Sequence, residues 1–317
     1  MTAALALLGY AVTAACFTPA LLAPLTRHGA SVRPGLAAWL SAMASVPVAA
    51  ALGAALTAEK AAADWPALTR LLCQQVAGTA CSPQVYRSGL YSACVAVLAA
   101  ASTLAVLTAL WRYGRRTQRA VASTRLHARA ALLAGRELAG TGAVVLDDPR
   151  PVAYCVAGRP AAIVVTSGAL AVLDQPQLAA VLAHERAHLA GRHHLLATLT
   201  RGLAAVFPGV PLFTAGSAEV ARLAELTADD MAARSVGRPA LVGALLAIAT
   251  GIALPAAASV TGAVPRGALS ASGHAVPARV ERLLDPPGPA TAVMFGLALA
   301  LASAAFILVP GLLAAAA

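Results

Sequence analysis

Lysine is almost missing from this chain: Lys60 is the only one among 317 residues. Charge of either sign is scarce, at 11% of residues against 59% apolar, where a soluble domain carries about a quarter charged. A chain this poor in charge cannot cover a globule with polar surface. Lipid must therefore be part of its solvent, as its mean hydropathy of +0.76 also implies. Acids are scarcer than bases, 13 against 23, which leaves a net charge of +10 carried almost wholly by arginine. Aromatics make up only 4%, too few among the arginines to build a stacking surface for nucleic acid, so direct nucleic-acid binding is not expected. The five cysteines (Cys16, Cys73, Cys81, Cys94, Cys155) form no C-x-x-C pair, so a cysteine-based zinc site is not expected.

What the chain does have is long apolar runs. Four charge-free stretches, within 2–25, 36–58, 89–111 and 291–316, each hold the roughly 20 apolar residues that a bilayer crossing needs. The first has no basic residue ahead of it and no A-x-A-like cleavage site after a short apolar core, so it reads as a retained span rather than a leader. Arginines set the orientation. Arg27 and Arg33 lie between the first two spans, and Arg112, Arg115, Arg116, Arg119, Arg125 and Arg129 follow the third with no acid among them. The 59–88 connection mixes Lys60, Arg70 and Arg87 with Glu59 and Asp64. The expected arrangement is three spans over 1–111 with an outer loop at 59–88, a cytosolic domain over 112–290 and a fourth span over 291–317, with both termini outside. The 112–129 arginines then rest on anionic lipid. Two further apolar stretches, 202–218 and 239–265, are interrupted by Phe207-Pro208, Pro211 and Pro255. They read as buried or membrane-leaning helices of the cytosolic domain. A crossing by the first would separate Glu225 from His184, and a crossing by the second would put Arg266, Arg279 and Arg282 outside.

The chemistry lies in the third quarter. Residues 175–192, QPQLAAVLAHERAHLAGR, have helical periodicity in Leu178, Val181, Leu182 and Leu189. They contain H-E-x-x-H: His184, Glu185 and His188. Histidines at i and i+4 share a helix face, so both imidazoles can reach one ion, and Glu185 stands at the edge of that face, where it can take a proton from water. Downstream, residues 219–233, EVARLAELTADDMAA, place Glu225 and Asp229 one turn apart on a second helix. A catalytic Zn²⁺ wants three protein ligands and an open position. His184, His188 and Glu225 supply the three, and Asp229 is suited to accept the other N–H of a ligand histidine. Upstream, the β-branched runs Val144-Val145 and 163–166, bounded by Asp-Pro and Gly-Arg-Pro turns, read as a β-hairpin. The 162–167 strand is read as an exposed edge to which an extended substrate adds.

H-E-x-x-H, then Phe207-Pro208, then E-x-x-x-D resembles the BlaR/MecR-type membrane metallopeptidases, β-lactam-sensing receptors whose wider relatives are HtpX and the CAAX prenyl protease. The resemblance covers roughly 144–284, and 143–170 is similar to the family's strand segment ahead of the zinc helix. It implies a mainly α integral membrane protein, four transmembrane helices with a cytosolic α+β zincin-type domain and a small β-sheet, in a bacterial cell membrane. It implies Zn²⁺ as cofactor on His184, His188 and Glu225, Glu185 as general base and acid, and Asp229 behind the ligands. Residues 274–284, HAVPARVERLL, are similar to the wider group's H-P-x-x-x-x-R segment. There the resemblance makes His274 a transition-state stabiliser, although no Pro follows it and Arg279 comes one residue early. No S-x-x-K, S-D-N and K-T-G series is present, so covalent β-lactam sensing is not expected. Cys73 and Cys81 in the outer loop are expected to close a small disulfide in an oxidising compartment.

The activity so implied is peptide-bond hydrolysis in a cytosolic protein, a BlaI-type transcriptional repressor by the resemblance. An HtpX-like quality-control protease and a non-catalytic receptor or scaffold with a zinc site remain alternatives, and homo-oligomerisation is left open. The arginine asymmetry makes a direct prediction. In a cysteine-free background, a single cysteine at position 120 should label with a membrane-impermeant thiol reagent only after the membrane is opened. Labelling of that position from outside intact cells reverses the topology.

Overall fold

The computed structural model describes residues 2–76, 83–252 and 276–316. Three helices come first: α1 (Thr2–Thr26), α2 (Val32–Val76) and α3 (Pro83–Ala134). Four short strands follow: β1 (Arg136–Leu138), β2 (Ala143–Leu146), β3 (Ala153–Val156) and β4 (Ala162–Thr166). The remaining helices are α4 (Ser167–Val172), α5 (Gln175–Ala190), α6 (His193–Val206), α7 (Pro211–Val236), α8 (Arg238–Ile252), α9 (Val276–Leu284) and α10 (Pro289–Ala315).

Helices α1, α2, α3 and α10 are long and apolar enough to cross a membrane, and each contains one of the four expected stretches. Their outer surfaces are apolar: Phe17 on α1, Val97 and Leu104 on α3, and Leu301 and Ile307 on α10 are all more than half exposed. That is the surface a helix presents to lipid. Their mutual contacts use small side chains, with Ala11 and Ala49 buried beside Leu7. This fits a medium where close packing, rather than release of water, holds helices together.

Two of these helices overrun the bilayer. At 1.5 Å per residue the 52-residue α3 is about 78 Å long, against a hydrocarbon core of about 30 Å. The expected domain boundary at 111/112 falls inside it, so the helix runs unbroken from apolar span to arginine-rich segment. Its far end buries Ala128 and Ala131 against Tyr154, Val156 and Val164 of the sheet. The stretch expected as an outer loop is largely helical, because α2 continues to Val76 and is pinned there by a Lys60–Asp64 ion pair of 2.6 Å one turn apart. Cys81 lies outside the described residues, so its pairing with Cys73 stays an expectation.

The sheet corrects two expectations. Its strand order is β1-β2-β4-β3. The two β-branched runs, β2 and β4, pair in parallel, Val144 with Val164, and do not form a hairpin with one another. The 15 residues that separate them carry β3, which makes the antiparallel partner of β4, Cys155 opposite Ile163. With a partner on each side β4 is interior, fully buried along its length. It has no free edge for a substrate, and that edge belongs to β3.

The 202–218 stretch splits at Phe207 into the end of α6 and the start of α7. The two helices fold back on each other, with the Phe207 and Phe213 rings stacked at 5.2 Å. Leu212 and Phe213 are buried with Leu22, Trp39, Met43 and Leu299 of the long helices. Glu219 is level with the end of α1, where it accepts from the Thr26 hydroxyl at 3.4 Å. The eight residues back to Pro211 therefore carry the α6–α7 turn about 12 Å further into the bundle. The described part of 239–265 forms α8, whose Leu241, Ala244 and Leu245 pack on α5 and the sheet. Where α7 crosses α2, a Cβ on Gly216 would stand 2.7 Å from the buried Met43 Sδ and 3.3 Å from Trp39. Overpacking of this kind costs about 1–3 kcal/mol. Gly216→Val is expected to lower stability by that amount in detergent-solubilised protein, and an unchanged unfolding midpoint would show that the crossing is loosely packed.

Candidate metal centre

Helix α5 is set by its ends. Asp174 accepts from the Gln177 backbone N–H at 2.8 Å, and the Gln177 side chain accepts from the Asp174 N–H at 3.1 Å. This reciprocal capping box satisfies donors that a first turn leaves free. Proline stands in the first turn, where its missing N–H costs nothing. The helix is buried over Ala180–Leu182 and again at His184, Glu185, Ala187 and His188. Its alanines let α7 and the sheet approach closely enough for side chains from both to meet.

His184 and His188 point their Nε2 atoms at one place, 3.0 Å apart. Glu225, from α7, faces the same place: its Oε2 lies 3.5 Å from His184 Nε2 and its Oε1 3.4 Å from His188 Nε2. Donor atoms at about 2.0–2.1 Å from a tetrahedral zinc stand about 3.4 Å apart, so the triangle has the right size for one ion. Glu225 Oε1 and Oε2 are buried and accept no hydrogen bond among the described residues. A buried carboxylate whose hydrogen bonds are unmade is costly unless cations meet it, and the Arg279 guanidinium, 3.1 Å from Oε2, meets it from one side. His184, His188 and Glu225 form the one His/Cys/Asp/Glu group with metal-ligand spacing among the described residues.

Asp229, one turn beyond Glu225, is 1% exposed and lies 3.1 Å from His184 Nδ1. It is held in turn by Arg279 of α9, which donates from Nε and Nη2 at 2.7 and 2.6 Å. The third guanidinium nitrogen, Nη1, lies 3.1 Å from Glu225 Oε2. Arg279 therefore braces both Glu225 and Asp229 of α7 from a helix 50 residues away. Sequence reading placed Arg279 near the site only through the resemblance. His274 lies outside the described residues.

The fields in this cluster are strong. Burial raises the Glu185 carboxyl to about 7, against the lowering effect of His184. Burial also opposes a charge on His184, but the Asp229 and Glu225 carboxylates outweigh it and carry that imidazole up to about 10. His188 goes the other way, lowered by burial to about 3. The surroundings of Asp229 hold it ionised: burial works against its charge, but Arg279 and His184 bring it down to about 2. Acids close enough to hold a proton on a buried histidine are close enough to hold a metal cation. Beside Glu185 is the Cys155 thiol of β3, which hydrogen bonds to it and which burial pushes up, keeping it protonated. The edge strand thus runs next to the candidate base.

A cavity of about 690 Å³ opens on the other side, reaching Glu225 and Arg279 and bounded by Arg27 and His28 of the α1–α2 connection and by Arg222 and Arg282. Arg222 donates to the Thr26 carbonyl at 2.7 Å and Arg282 to the Gly29 carbonyl at 3.1 Å. The helices that carry the site are therefore fastened directly to the ends of the first two long helices.

Comparison with known proteins agrees with this geometry. The model of Peptidase family M48 matches residues 115–210, a stretch with the sheet, His184, Glu185 and His188 that stops short of Glu225. A protease HtpX homolog from Acidiphilium cryptum (strain JF-5) is 39% identical over 80 residues, 24% of this chain and 28% of that relative. The chain thus spans little more than a quarter of that relative's length. No solved structure matches. Together the matched segment, the similar relative and the long apolar helices support a membrane zinc metallopeptidase family of the HtpX type.

Proposed function

We propose that this protein is a membrane-embedded, zinc-dependent endopeptidase. The observation that carries the reading is the triangle of His184, His188 and Glu225 with Glu185 beside it, the histidines and Glu185 buried and Glu225 partly so, supplied by two packed helices. Zinc bound there would supply Lewis-acid polarisation of a carbonyl and acidify water toward a pKa of ~7. Glu185, raised by burial to about 7, suits both halves of a proton transfer: it accepts the proton of the attacking water and returns it to the leaving amine. Asp229 fixes the His184 ring and Arg279 fixes Asp229. An extended substrate adds to the free edge of β3, whose Cys155 neighbours Glu185.

We place the catalytic domain in the cytosol, on the arginine asymmetry of the sequence. Two substrate readings follow. Resemblance to the BlaR/MecR type points to a transcriptional repressor. The HtpX-like reading, cleavage of membrane proteins, is favoured by the cavity, which opens beside the α1–α2 connection at the ends of the long helices. A segment leaving the bilayer would reach that opening first. A proteome comparison separates the two: one accumulating protein points to a repressor, and many membrane proteins point to quality control.

The test of the activity is Glu185→Gln. It keeps the size of the side chain and removes the base, and is expected to cost 10²–10⁴-fold in cleavage rate while about one zinc per chain is retained. His188→Ala and Glu225→Ala should lose the metal and, because metal binding is coupled to folding, part of the stability. Cleavage by Glu185→Gln at the wild-type rate would overturn the peptidase reading and favour a non-catalytic receptor.

A further inference from the structure

Helix α5 ends in a turn that does more than reverse the chain. Gly191 closes the helix, its N–H donating to Ala187 O at 2.9 Å. Arg192 then adopts φ 50° and ψ 36°, the left-handed region that a non-glycine residue occupies only when its surroundings require it. It is the only described non-glycine residue with positive φ. The result is that His193, the first residue of α6, folds back over α5. A Cβ on Gly191 would collide with the His193 ring, so the missing side chain at 191 and the left-handed residue at 192 serve one placement.

His193 is 2% exposed. Its Nδ1 lies 2.9 Å from His188 Nδ1, with the rings edge to face at 4.9 Å and 85°. His188 turns Nε2 toward His184 and Glu225, so Nε2 is its ligand atom. A neutral imidazole that ligates through Nε2 carries its proton on Nδ1. That N–H points at His193 Nδ1, which must accept it, so His193 is neutral with its proton on Nε2.

We propose that His193 is the positioning residue for His188, accepting its Nδ1–H and fixing the tautomer and ring plane that aim Nε2 at the metal. It does for His188 what Asp229 does for His184, but without charge. The difference has a reason on electrostatic grounds. Glu185, Glu225 and Asp229 already set three carboxylates against the single guanidinium of Arg279, and a fourth buried anion would exceed what a dication neutralises. The sequence H-E-x-x-H-x-x-G-R-H thus carries the ligand, its orienting partner and the turn that joins them.

The inference rests on the metal-site reading above, and its test separates the two. Zinc affinity is measured by competition with a chromophoric chelator on the full chain in detergent, together with the unfolding midpoints of the metal-free proteins. His193→Phe keeps a ring and removes the acceptor. It is expected to weaken zinc binding 10–100-fold, the usual cost of removing an orienting partner. His193→Asn, whose amide oxygen can stand near the Nδ1 position, should restore most of the affinity. Gly191→Ala keeps every polar group but displaces the ring, and should weaken binding about tenfold even if His193→Phe fails to fold. Wild-type affinity in the phenylalanine or alanine variant overturns the proposal. So does equal weakening in the phenylalanine and asparagine variants with lowered metal-free midpoints, which would make the role one of packing. His188→Ala measured alongside reports on the metal site itself: zinc retained there would sink the site, not only its orienting partner.

Discussion

The structure depends on a charge deficit. Three carboxylates, Glu185, Glu225 and Asp229, are gathered where α5 meets α7, and among the described residues one guanidinium, Arg279, enters with them. In the metal-free site the proton on His184 and the Arg279 guanidinium offset Glu225 and Asp229. A cation that takes the imidazole nitrogen displaces that proton, and three ionised carboxylates against one guanidinium then leave two negative charges in a low-dielectric interior. An imbalance of that kind is expensive to bury. A divalent cation removes it, and no rearrangement of the protein is needed, because the ligand atoms already face one point.

The same constraint accounts for the scaffold. A site that gathers charge against its own repulsion must be gripped from outside. Arg279 grips it from α9, Arg222 and Arg282 tie α7 and α9 to the connection between α1 and α2, and Gly216 lets α7 lie directly on Trp39 and Met43. Long membrane helices are stiff, lipid-supported posts. A helix fastened to them loses little freedom when its side chains converge with those of α5, and a large soluble core is not needed around it. The sheet, four short strands among the described residues, supports the other side of α5 and offers β3 as an edge.

What the sequence made legible was local. His184 and His188, and Glu225 and Asp229, are each one helical turn apart, so their shared faces follow from 3.6-residue periodicity alone. The four apolar spans follow from length and composition. The sheet order did not, because a β-branched run does not say which other run it pairs with. Val144 and Val164 looked like two arms of a hairpin until the chain between them supplied a better antiparallel partner in 153–156. Arg279 meets Asp229 across 50 residues, and a lone arginine in an apolar segment carries no label of its destination. His193 carries a local signal: a glycine and then a histidine just past H-E-x-x-H is an economical way to end a helix and bring a ring back against it.

The cavity and the edge strand lie on different sides of Glu225 and Glu185, and this bears on how a substrate is handled. On the endopeptidase reading proposed above, cleavage requires a peptide to pass the ligand triangle in extended form, with its backbone available to pair. β3 can supply that pairing on the Glu185 side. The cavity beside Arg27 and His28 supplies room, not hydrogen-bonding order, on the Glu225 side. A peptide held at β3 and leaving toward the cavity would run from the body of the domain toward the ends of the membrane helices. On that same reading, selectivity would come from where an extended segment is presented, and the fastening of α7 to α1 and α2 would set that place near the ends of the long helices.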